Sequence, residues 1–289
     1  MINVTSSSPG WVKISSSPFG QNVEFFSATG QILDSWLENY TSTHAIWWVK
    51  LTSSIPAGSK QTIYMGFAPT STNLFNTNNV GEAPQLSSTY AEYDDGANIF
   101  NNYWNFAGTS LPSGWVVPSG MTFTVNNGAT FSSGSSVGTV YYSSFSSSSP
   151  FVMEVNYYPT IAAAGIDAGY GLSSSVADFQ NGYLFWQNPT LIIYSVSSGV
   201  SYTQLSSDGT GTQTQQIISA VIENGYQAYY ENYNLLTTSS SNEYTISKIT
   251  QIGITTNSGS NTIKNIYWFR TRAYPPNGVM PSVSFGSVS

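Results

Sequence analysis

No stretch of this chain sustains a helical apolar period over three turns, and that constrains its fold more than any other feature. Short runs of β-branched and aromatic residues instead alternate with turn residues, and such side chains fit half-buried pleated surfaces. In the first part the runs are Trp11–Ile14, Asn22–Phe26, Ser35–Tyr40, His44–Leu51 and Thr62–Phe67, separated by Ser-Pro-Phe-Gly, Ala-Thr-Gly and Pro-Ala-Gly. Residues 69–91 are rich in Asn, Thr, Ser and Pro and read as a linker. Beyond them the runs are Phe151–Tyr158, Gly182–Gln187, Leu191–Val196, Ile217–Ile222, Tyr226–Asn232, Ile249–Thr255 and Ile266–Tyr274. Asn224-Gly225 between two apolar runs predicts a hairpin, and the Ser-rich stretches Ser143–Ser149 and Ser239–Ser241 predict loops. With 289 residues the chain exceeds the usual single domain. The reading is all-β: two β-sandwich domains in tandem, residues 1–85 and 86–289.

Charge narrows the setting. Only 7% of residues are Asp, Glu, Lys or Arg, against roughly 25% in an average domain. Hydration therefore rests on neutral Ser, Thr, Asn, Gln, Gly and Tyr, which keep it when carboxylates titrate near pH 4. Such a surface suits an acidic exterior, and a glycosylated surface without acid adaptation is the alternative. Seven basic residues cannot track a phosphate backbone, so nucleic acid is excluded as a partner. No apolar run reaches the roughly 20 residues of a membrane span, so no membrane insertion is expected within this chain. The absence of Cys excludes a disulfide framework and Cys-ligated zinc. Met1 before Ile2-Asn3-Val4-Thr5 reads as a start codon added to an excised fragment. Asn3-Val4-Thr5 and Asn39-Tyr40-Thr41 are N-glycosylation acceptors by pattern, making Asn3 and Asn39 candidate modified residues and fitting an extracellular or cell-surface location.

Several stretches resemble the archaeal family that carries the domain of unknown function numbered 2341. They are Asn22-Val23-Glu24-Phe25-Phe26, Ser35-Trp36-Leu37-Glu38-Asn39-Tyr40, His44-Ala45-Ile46-Trp47-Trp48-Val49-Lys50, Thr62-Ile63-Tyr64-Met65-Gly66-Phe67, the junction Tyr90–Ala97 and the ending Tyr267–Gly278. The resemblance implies a surface or secreted protein of acid- and heat-loving archaea. It also implies that the second part is a concanavalin A-like lectin/glucanase jelly roll. It implies no reaction.

Glucanases of that architecture carry Glu-x-Asp-x-x-Glu on one strand; here Glu92-Tyr93-Asp94 is followed by Ala97 in the third position, so the second carboxylate is missing. Elsewhere in the second part, Glu154, Asp167, Asp178, Glu223, Glu231 and Glu243 are isolated acids. His44 is the sole histidine and no Gly-x-Ser-x-Gly elbow accompanies it, so it reads as a strand-edge residue. No cofactor is demanded; Asp94 and Asp95, with Asn98 and Asn101 near by, are the candidate calcium ligands, against a plain Asp-Gly turn.

Sugars offer apolar faces and hydroxyl rims, which aromatic platforms with adjacent amides and carboxylates recognise. Alternation along Phe151–Tyr158 sets Glu154, Asn156 and Tyr158 on one face and Phe151, Met153, Val155 and Tyr157 on the other. Trp186 shares a face with Asn188, and Tyr229 with Gln227 and Glu231. Glu154, Asn156, Tyr158, Trp186 and Tyr229 are therefore the candidate ligand-binding set, against cross-strand pairs that merely hold the sheet. Arg270 and Arg272 project to one side of the last strand, to clasp a carboxylate or acidic glycan or to anchor that strand on the first domain. The preferred function is non-catalytic: glycan binding or adhesion through the second sandwich. A structural envelope or filament component that self-associates by edge pairing is the alternative, and a glycoside hydrolase the second alternative.

Overall fold

The computed structural model describes residues 1–134, 137–159, 163–172, 179–199, 201–257 and 262–288. Its first seven strands are β1 (Ile2–Thr5), β2 (Val23–Ser27), β3 (Ile32–Leu33), β4 (Ser35–Tyr40), β5 (His44–Val49), β6 (Ile63–Phe67) and β7 (Val80–Glu82). They form a four-stranded sheet, β1-β5-β4-β7, and a three-stranded sheet, β3-β2-β6. Alternation aims Ile2, Val4, Leu37, Ala45 and Trp47 of one sheet, and Val23, Phe25 and Leu33 of the other, into a shared core. Burial of each of the Ile, Val, Leu and Phe side chains contributes about 1.5–3 kcal/mol.

Two features depart from the sequence reading. Trp11–Lys13 is a 3-10 turn, not a strand: Gly10 precedes it at φ 84°, and a Cβ there would lie 2.7 Å from the Phe67 ring. The stretch read as a linker contains β7, which pairs in parallel with β4, and it buries Phe75, Val80 and Ala83. Those anchors are too widely spaced in polar sequence to produce an apolar period.

The remaining strands are β8 (Asn102–Trp104), β9 (Trp115–Val116), β10 (Thr122–Val125), β11 (Ala129–Ser132), β12 (Gly138–Tyr142), β13 (Phe151–Pro159), β14 (Ala164–Leu172), β15 (Phe179–Asn188), β16 (Thr190–Ser197), β17 (Ser201–Thr210), β18 (Gln216–Glu223), β19 (Tyr226–Glu231), β20 (Asn234–Ser239), β21 (Gln251–Thr256) and β22 (Thr262–Ala273). One sheet has eight strands, β10-β11-β22-β13-β18-β19-β20 with β8 also on β22; the other has seven, β17-β16-β15-β14-β21-β12-β9. The expected hairpin forms at Asn224-Gly225, with Glu223 opposite Tyr226 and Gly225 at φ 74°.

The core between these sheets takes Phe151, Met153, Val155 and Tyr157 from β13, Tyr183 and Phe185 from β15, and Ile252 and Ile254 from β21. Phe185 meets Tyr229 of the facing sheet edge-on at 5.8 Å, which ties the layers together. Tyr157 Oη donates to Gln187 Oε1 at 3.1 Å and Gln216 Nε2 to the same oxygen at 2.8 Å, whereas Tyr229 Oη is buried in the same core without a hydrogen-bond partner among the described residues.

The architecture is all-β and built of sandwiched sheets, as expected. The two compact units comprise Met1–Phe100 with Val279–Ser289, and Asn101–Gly278. The sequence division at residues 85/86 lies upstream of that change at Phe100/Asn101, because residues 86–100 pack within the first unit: Glu82 N donates to Tyr93 O, and Trp36 meets Phe100 edge-on at 5.3 Å.

Candidate functional site

Inward placement of Ala164, Ile166 and Ala168 on β14 turns Gly165, Asp167 and Gly169 outward; on β15, inward Tyr183 and Phe185 turn Leu184 and Trp186 outward. Leu184 lies opposite Tyr194 of β16, and Val196 opposite Tyr202 of β17, so the outer face of the seven-stranded sheet gathers aromatic rings. Together with Val137 and Asn257 they line a depression of about 220 Å³ formed by Leu184, Trp186, Tyr194 and Tyr202. Tyr194 and Tyr202 stand edge-on at 6.1 Å, and Tyr202 is exposed at the rim. Trp186 is 6% exposed and packs with Ala163, Leu184 and Val196. Among the described residues, no Asp, Glu, His, Lys or Arg lines the depression.

Beside it the same face becomes polar. Asp167, opposite Leu184, is buried and accepts a hydrogen bond from Thr139 Oγ1 at 2.7 Å. A Cβ on Gly253 would come within 2.5 Å of Thr139 Cγ2 and 3.0 Å of Asp167 Oδ1, so glycine there leaves room for this pair.

The other candidate residues lie elsewhere. Glu154, Asn156 and Tyr158 do share a face, as alternation requires, but it is the outer face of the eight-stranded sheet and their environment is already filled. Arg270 Nε reaches Glu154 Oε2 at 2.6 Å, Arg272 Nη2 reaches Oε1 at 2.9 Å, and Ser219 Oγ donates to Oε1 at 3.0 Å. Burial alone would raise the Glu154 pKa; the two guanidiniums overcome it and hold the carboxyl at about 2. Arg270 also lies over the Trp268 ring at 4.3 Å. Asn156 is buried and accepts from Gln215 Nε2 at 3.3 Å, and Tyr158 carries Lys264 Nζ 5.5 Å above its ring. A ligand-facing Glu154 is thus corrected to one partner of an internal ion cluster, and the arginine pair finds its carboxylate within its own sheet. Tyr229 is corrected as well: it is fully buried in the sandwich core, its hydroxyl pKa pushed well up by desolvation. Of the candidate set only Trp186 reaches the depression. Asp178 lies outside the described residues.

The expected calcium pair belongs to the first unit. Asp94 Oδ1 accepts from Trp36 Nε1 at 2.8 Å and Gly96 N at 3.0 Å, and Asp95 Oδ1 accepts from Asn98 Nδ2 at 2.5 Å. Donors thus hold Oδ1 of each carboxylate. Among the described residues Asp95 Oδ2 is buried without a hydrogen-bond partner, and no group of three or more acid, His or Cys side chains is arranged around a metal position. Asp95-Gly96 opens a one-turn helix, Gly96–Ile99, where a simple turn was the alternative reading. His44 begins β5 with Nδ1 2.9 Å from Thr41 Oγ1. Asn3 and Asn39 are both exposed on strands.

Leu184, Tyr194, Tyr202 and Asn257 do not stand out as candidates in the sequence, and Asp167 appears there only as an isolated acid. Alternation from Trp186 points to Leu184, and the Leu191–Val196 run contains Tyr194 opposite in phase to Ile193. No local signal singles out Tyr202, which lies on a Ser- and Thr-rich strand, or Asn257, which lies on a loop.

A family model described as "Domain of unknown function (DUF2341)" matches residues 19–117. "Uncharacterized protein 562" of Sulfolobus islandicus rod-shaped virus 1 is 45% identical over 75 residues; the match spans 25% of this chain and 13% of the viral protein. Among solved structures, carbohydrate binding module CBM66 from Bacillus subtilis aligns at TM-score 0.40 and 17% identity over 54% of this chain and 94% of that one. The Emp47p carbohydrate recognition domain aligns at TM-score 0.43 and 13% identity, over 58% and 92%. A protein titled "Sialidase" aligns at TM-score 0.41 and 9% identity, over 61% and 18%. At such scores and identities no ligand or mechanism carries over from them.

Proposed function

We propose that this chain is a non-catalytic extracellular or cell-surface protein whose second unit binds glycan on the outer face of its seven-stranded sheet. The observation that carries this reading is the depression of Trp186, Tyr194 and Tyr202, with Asn257 among its lining residues. A pyranose can lay its apolar face on such rings and leave its hydroxyl rim to an amide and to water. Glu154, neutralised by two arginines, offers neither general acid nor nucleophile, which supports binding over hydrolysis. Sparse charge supports an exterior, acidic setting.

The test is a glycan-array screen of the purified chain in acid and near neutrality, with calcium or with chelator. Saturable binding that falls on Tyr202→Ala supports the reading. No binding by folded protein under any of these conditions overturns it.

One observation favours the structural alternative. Strand β17 is an edge of its sheet, ten residues long and largely exposed, with Asp208 its single charge. Edges of that kind can pair with another chain unless blocked. Concentration-dependent assembly abolished by a proline in the middle of β17 would support it.

A further inference from the structure

The chain contains two Asn-x-Thr triplets in which x is not proline, Asn3-Val4-Thr5 and Asn39-Tyr40-Thr41. Far apart in sequence, they meet in the register of the first sheet. Asn3 of β1 lies opposite Ile46 of β5, and Asn39 of β4 lies opposite the same Ile46 from the other side. Directly opposed residues project to one face, so Asn3, Ile46 and Asn39 form a single row, the two asparagines about 10 Å apart at two strand spacings. The neighbouring row repeats the relation: Thr5 lies opposite His44, and Thr41 Oγ1 is 2.9 Å from His44 Nδ1.

This row faces outward. Ile2, Val4, Ala45 and Trp47 take the inward positions of β1 and β5, which leaves Asn3 and Ile46 on the opposite face. On β4 the outward position of Asn39 depends on an irregularity. Leu37 pairs with Trp47 and points inward, so strict alternation would send Asn39 inward too. The register shifts by one residue between them, with Glu38 as the extra residue, and Asn39 emerges on the outer face beside Ile46. Both asparagines are exposed, Ile46 is half-buried, and neither amide takes part in a side-chain hydrogen bond among the described residues.

We propose that Asn3 and Asn39 both carry N-linked glycans, which together cover the outer sheet face over Ile46. In the transfer, each side-chain Nδ2 displaces the phosphate leaving group from the anomeric carbon of a lipid-phosphate-linked oligosaccharide. One C–N bond forms, one C–O bond breaks, and the amide gives up one proton with no change of oxidation state. The modification is independent of any ligand bound by the second unit. It requires that the chain be exported, where such donors are used.

The test is peptide mapping by mass spectrometry on protein isolated from its native source. Cleavage after Lys13 and Lys50 separates the two sites into different tryptic peptides. Each peptide should carry one glycan mass, and Asn3→Gln or Asn39→Gln should each remove one increment while the circular dichroism spectrum is kept. An unmodified asparagine at either position overturns the proposal.

Discussion

Arg270 and Glu154 face each other across β22 and β13 with Nε 2.6 Å from Oε2, and neither side chain reaches solvent. Removing one partner of a buried ion pair leaves the other charge uncompensated and costs about 3–5 kcal/mol. Glu154→Gln should therefore destabilise the second unit by about that much, read as a lower urea midpoint at unchanged slope. Arg272→Gln should cost less, because its side chain is 17% exposed and water can replace part of the lost bond. Equal losses from the two variants would show that the cluster does not divide as its burial implies.

The same cluster and the first unit respond to pH with opposite sign. The Glu154 pKa is lowered from 4.5 to about 2, so its contribution is complete above 4.5 and is lost only as pH falls towards 2. Glu82 and Asp95 are both raised to about 7, mainly by burial, with Asp94 adding repulsion to each. Their protonated forms suit the fold, so the stability they contribute is complete below about 4 and is lost as pH rises through 7. Melting should place the first unit's transition higher at pH 4 than at pH 8, with the difference shrinking in Glu82→Gln/Asp95→Asn. A chain built for acid would behave this way; a transition that falls between pH 7 and pH 4 would contradict it.

In the aromatic depression, Tyr202 and Trp186 should separate binding from folding. Tyr202 is 38% exposed, so Tyr202→Ala should leave the melting temperature within about a degree while weakening glycan binding about 2- to 10-fold, the worth of one ring contact. Trp186 packs under the same surface at 6% exposure, so Trp186→Ala should lower stability by about 3–5 kcal/mol as well as binding. Calorimetric melting beside a binding isotherm distinguishes the two.

Side-chain alternation made much of this fold legible. The runs from Phe151 to Tyr158 and from Ile217 to Ile222 appear as strands because β-branched and aromatic residues dominate them, and Asn224-Gly225 marks its own hairpin. Strands such as β17 lacked that signal: an exposed edge built of Ser, Thr and Gln has no apolar period to detect. The site was harder to read for a different reason. Alternation separates the two faces of a strand but does not say which face meets the other sheet. Alternation alone thus does not assign Tyr229 to the core it occupies, and the local sequence of Glu154 does not contain the arginines that register brings beside it. Trp186, which lines the depression, stands out in the local sequence as a tryptophan in phase with a polar neighbour. Its partners come from other strands and needed the sheet order.

Backbone approaches closely at Gly81 in the first unit, and this carries a last prediction. An added Cβ would collide with the Tyr93 carbonyl oxygen and lie 2.5 Å from both Asp95 Cβ and Asp95 N. Two of those atoms are backbone, so rotamer adjustment cannot relieve the clash, and β7 must move off the Tyr93–Asp95 segment. Overpacking of this kind costs about 1–3 kcal/mol or more. Because Glu82 N donates to Tyr93 O, the same displacement should open Glu82 and Asp95 to water and bring their pKa values down towards the ordinary carboxylate range. Gly81→Ala should therefore do two things together: lower the first unit's melting temperature at pH 4, and flatten its dependence on pH between 4 and 8. Thermal melts at the two pH values read both effects. A uniform drop that keeps the wild-type pH dependence would show that Gly81 supports the strand without controlling the burial of the acids beneath it.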